Sequence, residues 1–471
     1  GNEVTIAVNP KDPRNIVGGA KDYYPMDAGQ CVWDGIYVTH DGGATEYEDR
    51  NFDGSPWRLL NDPASFRPNY ASSYWCTTDP VAYFDVHGTF YYLLMAYQTD
   101  PVTGSKLGED QLPMGALNDW AFNRATQIVA ISSDGGDSFH TFTPVLEGSF
   151  PVSFHDKGWI AAGPDGVIHV MWLAVLLPGN LYFRSTDGGK TFSDPEVLAT
   201  TVGNSGQGSF VDVGTGSQVY AMWTSDSVYM RRSLDSGATW DAERPLFQVN
   251  DAQHPGLSPR DRVTGFPALA TDRNPDSPLA DALYVIWHDA CNDEAWRSGC
   301  DSGASGVYVR ASFDQGETWG DPVRVSGGDT RWRMLPALSV SPGGVLDASW
   351  MEHTDERIPA GDGVAERARM RQMYSYSLDG GATWSEPVDI RDAGDGGWDP
   401  AVCRHQNGMV FLGDYNDIDS SWQAAHPVWP DARHGVCDVF TATMQRPMFA
   451  QGWDAAKREA AEQWIRGHPL T

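Results

Sequence analysis

Short runs of apolar and β-branched residues alternate with clusters of Gly, Asp, Asn and Pro along nearly the whole chain. The stretch from Gly158 is the clearest case. Trp159-Ile-Ala-Ala162 is followed by the turn Pro164-Asp-Gly166, then by Val167-Ile-His-Val-Met-Trp172 and Leu181-Tyr-Phe-Arg184. Runs of this length bounded by turn residues predict strands joined by hairpins. The unit so read is an apolar strand, a short turn, a strand ending in Trp or a similar residue, a variable loop and a last hairpin, that is, a four-stranded antiparallel blade.

The last hairpin carries a repeated phrase. Ser233-Leu-Asp-Ser-Gly-Ala-Thr-Trp240 returns as Ser185-Thr-Asp-Gly-Gly-Lys-Thr-Phe192, Ser312-Phe-Asp-Gln-Gly-Glu-Thr-Trp319 and Ser377-Leu-Asp-Gly-Gly-Ala-Thr-Trp384. Ser132-Ser-Asp-Gly-Gly-Asp-Ser-Phe139 and Thr39-His-Asp-Gly-Gly-Ala-Thr45 are weaker copies, the latter with Glu46 in place of the aromatic. Each copy predicts a tight hairpin in which Asp accepts hydrogen bonds from the turn's own amides and Gly supplies a positive φ. Thr-Trp is expected to begin the next strand and drop a large ring into the core. These Asp residues are therefore structural first.

Units of this kind begin near Val4, Val81, Trp159, Phe210, Ala268, Ala337 and Ala401. The last lacks the phrase, and its strands are expected at Met409–Tyr415, His426–Trp429 and Asp438–Thr443. Seven blades follow, with six the alternative if the N-terminal strand completes the last one. A blade cannot bury both faces alone, so the units are expected to close into one ring over residues 1–447. The tail, 448–471, loses the period of two and predicts a helix packed on that ring.

The phrase resembles the Asp-box, or BNR, repeat of the sialidase-like β-propeller superfamily, from about Val4 to about Met444. The resemblance implies an all-β propeller and a carbohydrate ligand. It also implies that the repeated turns lie on the face away from the ligand site.

A formal net charge of −30 argues against nucleic acid and anionic membranes as partners. No run of eighteen apolar residues is present, so no membrane-spanning helix is expected. The chain opens at Gly1 with strand-like sequence under way, so any signal peptide is expected to precede it, and a secreted or extracellular, monomeric protein is the expectation. Cys31, Cys76, Cys291, Cys300, Cys403 and Cys437 lack metal-site spacing. Three disulfides are expected, 31–76, 291–300 and 403–437, from neighbourhood within repeats.

If the repeated turns join strands three and four, the opposite face carries the long irregular loops, the usual mark of function. Tyr23, Tyr24, Trp33, Tyr70, Tyr74, Trp75, Trp120, Trp332 and Trp398 fall there and offer stacking faces for sugars. Acids and bases fall there too: Asp79, His155, Asp156, His288, Asp289, Glu352, His353, Asp414 and Tyr415. Sialidase-like chemistry implies an arginine cluster gripping a carboxylate, a Tyr nucleophile activated by Glu, and an Asp acid/base. The family's early F/Y-R-I-P motif is absent: the nearest position reads Lys21-Asp-Tyr-Tyr-Pro25, and Arg357-Ile-Pro359 lies far along the chain. Arg67, Arg124, Arg262, Arg331 and Arg333 are candidates for a substitute cluster.

Tyr415, Glu352, Asp79, His155 and Asp156 are accordingly the catalytic candidates, with Tyr415 as nucleophile and Glu352 as its base. Arg67, Arg262, Arg331, Arg333, Trp75, Trp332, His288 and Asp289 are the substrate-binding candidates. Two other functions stay open: a propeller-fold polysaccharide lyase cleaving uronic-acid glycans with His155 or His288 as base, and a non-catalytic glycan-binding or adhesion protein. No cofactor is required. Structural calcium in the Asp-rich loop 289–301 is possible on its carboxylates and carbonyls, and no metal ligands are assigned.

Overall fold

The computed structural model describes residues 2–22, 33–44, 58–59, 76–97, 124–146, 148–149, 155–174, 179–201, 205–249, 266–290, 304–329, 331–359, 366–391, 396–403 and 410–445. Regular structure among them is β, apart from one 3-10 turn at Pro400–Val402. The strands form seven antiparallel meanders, the blades of an all-β propeller.

Blade 1 holds β1 (Asn2–Val8), β2 (Ile16–Asp22), β3 (Trp33–Thr39) and β4 (Arg58–Leu59). Blade 2 holds β5 (Cys76–Phe84), β6 (Phe90–Tyr97), β7 (Arg124–Ser132) and β8 (Thr141–Pro144), with β9 (Gly148–Ser149) added to β7. Blade 3 is β10 (His155–Ala162), β11 (Ile168–Ala174), β12 (Asn180–Ser185) and β13 (Glu196–Val197). Blade 4 is β14 (Gln207–Val213), β15 (Val219–Thr224), β16 (Ser227–Ser233) and β17 (Arg244–Gln248).

Blade 5 is β18 (Ala268–Thr271), β19 (Leu283–Ala290), β20 (Ser305–Ser312) and β21 (Val323–Arg324). Blade 6 is β22 (Arg333–Val340), β23 (Leu346–Pro359), β24 (Glu366–Ser377) and β25 (Val388–Asp389). Blade 7 is β26 (Asp417–Ser420), β27 (Ala424–Asp431) and β28 (Asp438–Thr441), with β29 (Met444–Gln445) on β27. The chain divides into two compact units, Gly1–Pro245 and Leu246–Thr471.

Within each unit the core lies between consecutive blades. Val81, Leu93 and Val129 of blade 2 pack on Ile160, Val170 and Trp172 of blade 3. Tyr284, Ile286 and Val309 of blade 5 pack likewise on Leu338, Ala348 and Trp350 of blade 6. One tryptophan of the second strand anchors each of blades 3 to 7: Trp172, Trp223, Trp287, Trp350 and Trp429 are all at most 1% exposed. These are the strand-ending tryptophans of the sequence pattern, and each is a large apolar area withdrawn from water.

The repeated phrase folds by one hydrogen-bond scheme. The Ser185 hydroxyl donates to Asp187 Oδ1 (2.8 Å) and accepts from the Gly189 amide (2.9 Å). The Thr191 amide and hydroxyl donate to the two oxygens of Asp187 (3.0 and 2.6 Å). Ser233, Asp235, Gly237 and Thr239 repeat the scheme, as do Ser312, Asp314, Gly316 and Thr318, and Ser377, Asp379, Gly381 and Thr383. The carboxylates of Asp187, Asp235 and Asp314, so held, are better anions than a free one. Thr239 and its amide, with Ser233, lower Asp235 to about 2.

In one respect the turn is not the hairpin expected. The fourth strand starts several residues after the aromatic, at Glu196 beyond Phe192 and at Val388 beyond Trp384, because the Asp-bonded residues Thr191 and Thr383 turn back on the loop. The last blade also departs from expectation. Of the expected strand Met409–Tyr415, the described part holds only bridge residues at Val410 and Phe411; Gly413, at φ 94°, follows, and the first named strand begins at Asp417. Cys403 and Cys437 form the expected disulfide. Cys31, Cys76, Cys291 and Cys300, as well as the tail 448–471, fall outside the residues whose side chains are described.

A second repeat was not legible. The first strands of five blades carry a bulge whose residue sits at positive φ: Glu3 (50°), Asp79 (58°), Lys157 (38°), Gly208 (66°) and Leu335 (50°). Four of the five are not glycine, at a cost of about 1–2 kcal/mol each. First and third strands run the same way in a meander. The bulges, at the start of the first strand, therefore lie at the end of each blade opposite the repeated turns, which follow the third.

Candidate functional site

Among the described residues, a dense cluster of charge lies at that same end of blade 6. Arg333, Glu352 and Arg371 stand directly opposite one another on β22, β23 and β24, forming one row across three strands. Arg333 Nε lies 2.6 Å from Glu352 Oε2, with the two side chains 1% and 3% exposed. Glu352 Oε1 takes Arg371 through both Nε (3.1 Å) and Nη2. Arg331, just before β22, brings Nη1 within 3.9 Å of the same oxygen.

Asp329 completes the inner part, accepting from Arg333 Nη2 and from Arg331 Nη1 (2.9 Å). Arg333 Nη1 donates further to the backbone oxygens of Ser305 and Arg331. Past this row β23 and β24 run on as a two-stranded arm, pairing Arg357 with Ala368 and Pro359 with Glu366. Residues 354–356 are looped out of that pairing, and Asp355 reaches back to Arg331 Nη2 at 2.7 Å.

Chemically, the row is a carboxylate fixed between guanidiniums. Glu352 is engaged on both oxygens, which holds Arg333 and Arg371 in set orientations. Arg331 and Arg371 stay partly open, at 27% and 21% exposed. Partly exposed, oriented guanidiniums are suited to gripping a carboxylate or sulfate. Arg371 was not among the sequence candidates. Its signal was present as the alternation Arg367, Arg369, Arg371, which puts three guanidiniums on one face of a strand, and only the register shows which meets Glu352.

The other candidates separate. Trp332 is 6% exposed and its carbonyl accepts from the His353 amide (3.1 Å). Trp398 is 2% exposed and exchanges backbone bonds with Met370. Neither ring presents an open stacking face, and that of Trp398 is spent on packing among residues of blades 6 and 7. His288 and Asp289 close β19. Burial pushes the His288 imidazole down to about 4, and Asp289 Oδ2 accepts from the indole N–H of Trp287 (3.2 Å). Tyr415 follows Gly413 and is 5% exposed.

In the first unit Asp79 occupies the bulge of β5, accepting from the Thr78 hydroxyl at 2.9 Å. Asp156 Oδ2 accepts from Gln207 Nε2 at 2.8 Å, tying blade 3 to blade 4. His155 beside it is fully buried, its ring 4.9 Å from that of Trp172, with no hydrogen-bond partner on either nitrogen among the described residues. Burial lowers its pKa to about 4.

Arg67, Trp75 and Arg262 lie outside the described residues, as does the Asp-rich loop beyond Ala290. Among the described residues no group of three His, Cys, Asp or Glu side chains is placed to hold a metal ion, and no helix is long and apolar enough to cross a membrane.

No family model matches the chain, and no curated protein matches it. Solved structures do resemble it. A Hadza microbial sialidase is 13% identical over 74% of this chain, with a TM-score of 0.45, and this chain spans 62% of that protein's length. A polysaccharide lyase described as an ulvan lyase is 11% identical over 97% of this chain and 96% of its own, with a TM-score of 0.47. The NanB sialidase of Streptococcus pneumoniae is 11% identical over 94% of this chain and 68% of its own, with a TM-score of 0.39. At these identities the all-β propeller class of this chain rests on its own seven sheets.

Proposed function

We propose that this chain is a secreted carbohydrate-active propeller of sialidase-like type, an exo-glycosidase that acts on an acidic glycan. The observation that carries this reading is the row Arg333–Glu352–Arg371 with Arg331 beside it, at the end of blade 6 away from the repeated turn. A chain of net charge −30 repels an acidic ligand unless cations are gathered locally, and here they are gathered on a buried carboxylate that fixes their direction. Arg331 and Arg371 take the ligand's carboxylate, Arg333 and Glu352 position them, and Tyr415, in the same unit, remains the candidate nucleophile of the scheme. The Cys403–Cys437 disulfide suits an oxidising, extracellular setting.

The test is an assay of a fluorogenic sialoside and a panel of uronate polysaccharides, each beside a neutral glycoside. Turnover confined to an acidic substrate, and reduced in Arg371→Ala, supports the reading. Silence toward all of them together with binding on a glycan array replaces it with a lectin. A lyase is the second reading, kept open by the neutral state of His155 at physiological pH, although burial of that imidazole makes it a weak base. Unsaturated, ultraviolet-absorbing products would identify that chemistry.

A further inference from the structure

Each of the three guanidiniums around Glu352 is held differently. Arg333 is buried and bound on every side, and Arg371 is clamped to Glu352 through Nε and Nη2. Arg331 has a looser hold. Its Nη1 is shared with Asp329, its Nη2 meets only Asp355, and its Nε is closed from solvent with no acceptor among the described residues.

Nε and Nη2 form the edge of a guanidinium that binds a carboxylate through two parallel bonds. Asp355 uses one of those two positions. Its side chain is 77% exposed and belongs to the looped-out residues 354–356, so few strand hydrogen bonds resist its movement. Exposed ion pairs of this kind contribute little to stability.

Charge points the same way. Arg331, Arg333 and Arg371 are balanced by Asp329, Glu352 and Asp355. Asp329 and Glu352 each bridge two arginines and cannot leave without undoing the row. Asp355 touches Arg331 alone within it. With Asp355 withdrawn, the cluster carries one unbalanced positive charge, and Nη2 is released beside the unpaired Nε.

We infer that Asp355 is an internal counter-ion that occupies the substrate-carboxylate position on Arg331 and is displaced when an acidic ligand binds there. This rests on the acidic-glycan reading and sharpens it: the ligand must offer a carboxylate able to bond Nε and Nη2 together. A neutral sugar, having nothing to exchange for Asp355, leaves it in place.

The test is calorimetric titration of the full chain with D-glucuronate and N-acetylneuraminate, beside their methyl esters, for the wild type, Asp355→Ala, Arg331→Ala and the double variant. Asp355→Ala is expected to bind the better of the two acids about two- to fivefold more tightly, the range set by releasing one exposed ion pair, with the ester unchanged. Arg331→Ala is expected to abolish that gain. If the wild type binds an acid and Asp355→Ala binds it equally or more weakly, the counter-ion inference is wrong and the acidic-glycan reading stands. If the wild type binds neither acid, both fall. Equal tightening for acid and ester also overturns the inference, because it would mean steric opening and not ion exchange.

Discussion

Arg333 and Glu352 face each other across β22 and β23 with 2.6 Å between Nε and Oε2, and both are almost closed from water. Such a pair is weak as a source of stability and strong as a fixed point, because its desolvation cost roughly offsets its attraction while loss of one partner strands a buried charge. Here the fixed point is what orients Arg371 and positions Arg331.

Breaking the pair should therefore cost far more than breaking a surface pair of similar geometry. Glu352→Gln is expected to lower unfolding free energy by about 3–5 kcal/mol. Glu356→Gln, which removes the exposed partner of Arg369 at 2.9 Å, should change it by no more than about 1 kcal/mol. Denaturant melts of the two variants check this, and equal costs would show that Glu352 is not the buried centre described.

The repeated turn makes a distinction between its glycines. Gly188, at φ 76°, has nothing within 4 Å of the place its Cβ would occupy, so Gly188→Ala should cost only the left-handed backbone penalty of about 1–2 kcal/mol. Gly237, at φ 74°, would put its Cβ onto the Tyr182 hydroxyl, itself bonded to His169 at 2.7 Å. Gly237→Ala is expected to cost clearly more, read as the difference in melting midpoint.

Four imidazoles lowered by burial, His155, His169, His288 and His353, set a pH dependence, and two of them show its window. Burial lowers His155 and His288 from 6.5 to about 4, so the folded chain binds fewer protons than the unfolded chain between those values. The stability they contribute is complete above pH 6.5 and is lost as pH falls toward 4, with a slope of up to ~1.4 kcal/mol per pH unit for each group. His155→Phe, which keeps the contact with Trp172, should flatten that part of the profile. An unchanged slope would mean that His155 is charged in the fold.

Cys403 and Cys437 close a loop of sequence separation 34 around the start of blade 7. Cys403→Ser with Cys437→Ser should lower stability by about 2–5 kcal/mol, and reduction of the wild type should do the same. Insensitivity to reductant would contradict the pairing.

The blade plan was legible in the sequence because two short-range signals repeat in it: Trp at the end of the second strand, and a Ser-Asp-Gly-Thr turn whose bonds are all local. Trp172, Trp223, Trp287, Trp350 and Trp429 then share one role. The bulges at Asp79, Lys157 and Leu335 were not legible, because they are set by register between strands and carry no residue type in common.

The site was legible only by halves, for the same reason. Arg331, Arg333 and Glu352 were named from residue type and loop position. Arg371 and Asp355 join them only through the pairing of β23 with β24 and the looped-out residues 354–356. Trp332 and Trp398 show the converse: aromatic loops read as open platforms, yet both rings are buried, that of Trp398 among residues of blades 6 and 7.

The most direct measurement of the central claim is the affinity of the wild-type chain for D-glucuronate and N-acetylneuraminate against their methyl esters. The account predicts that at least one acid binds and that its ester, which has lost the charge Arg331 and Arg371 would grip, binds at least tenfold more weakly, about 1.4 kcal/mol. Acid and ester binding alike, or no acid binding at all, would contradict it.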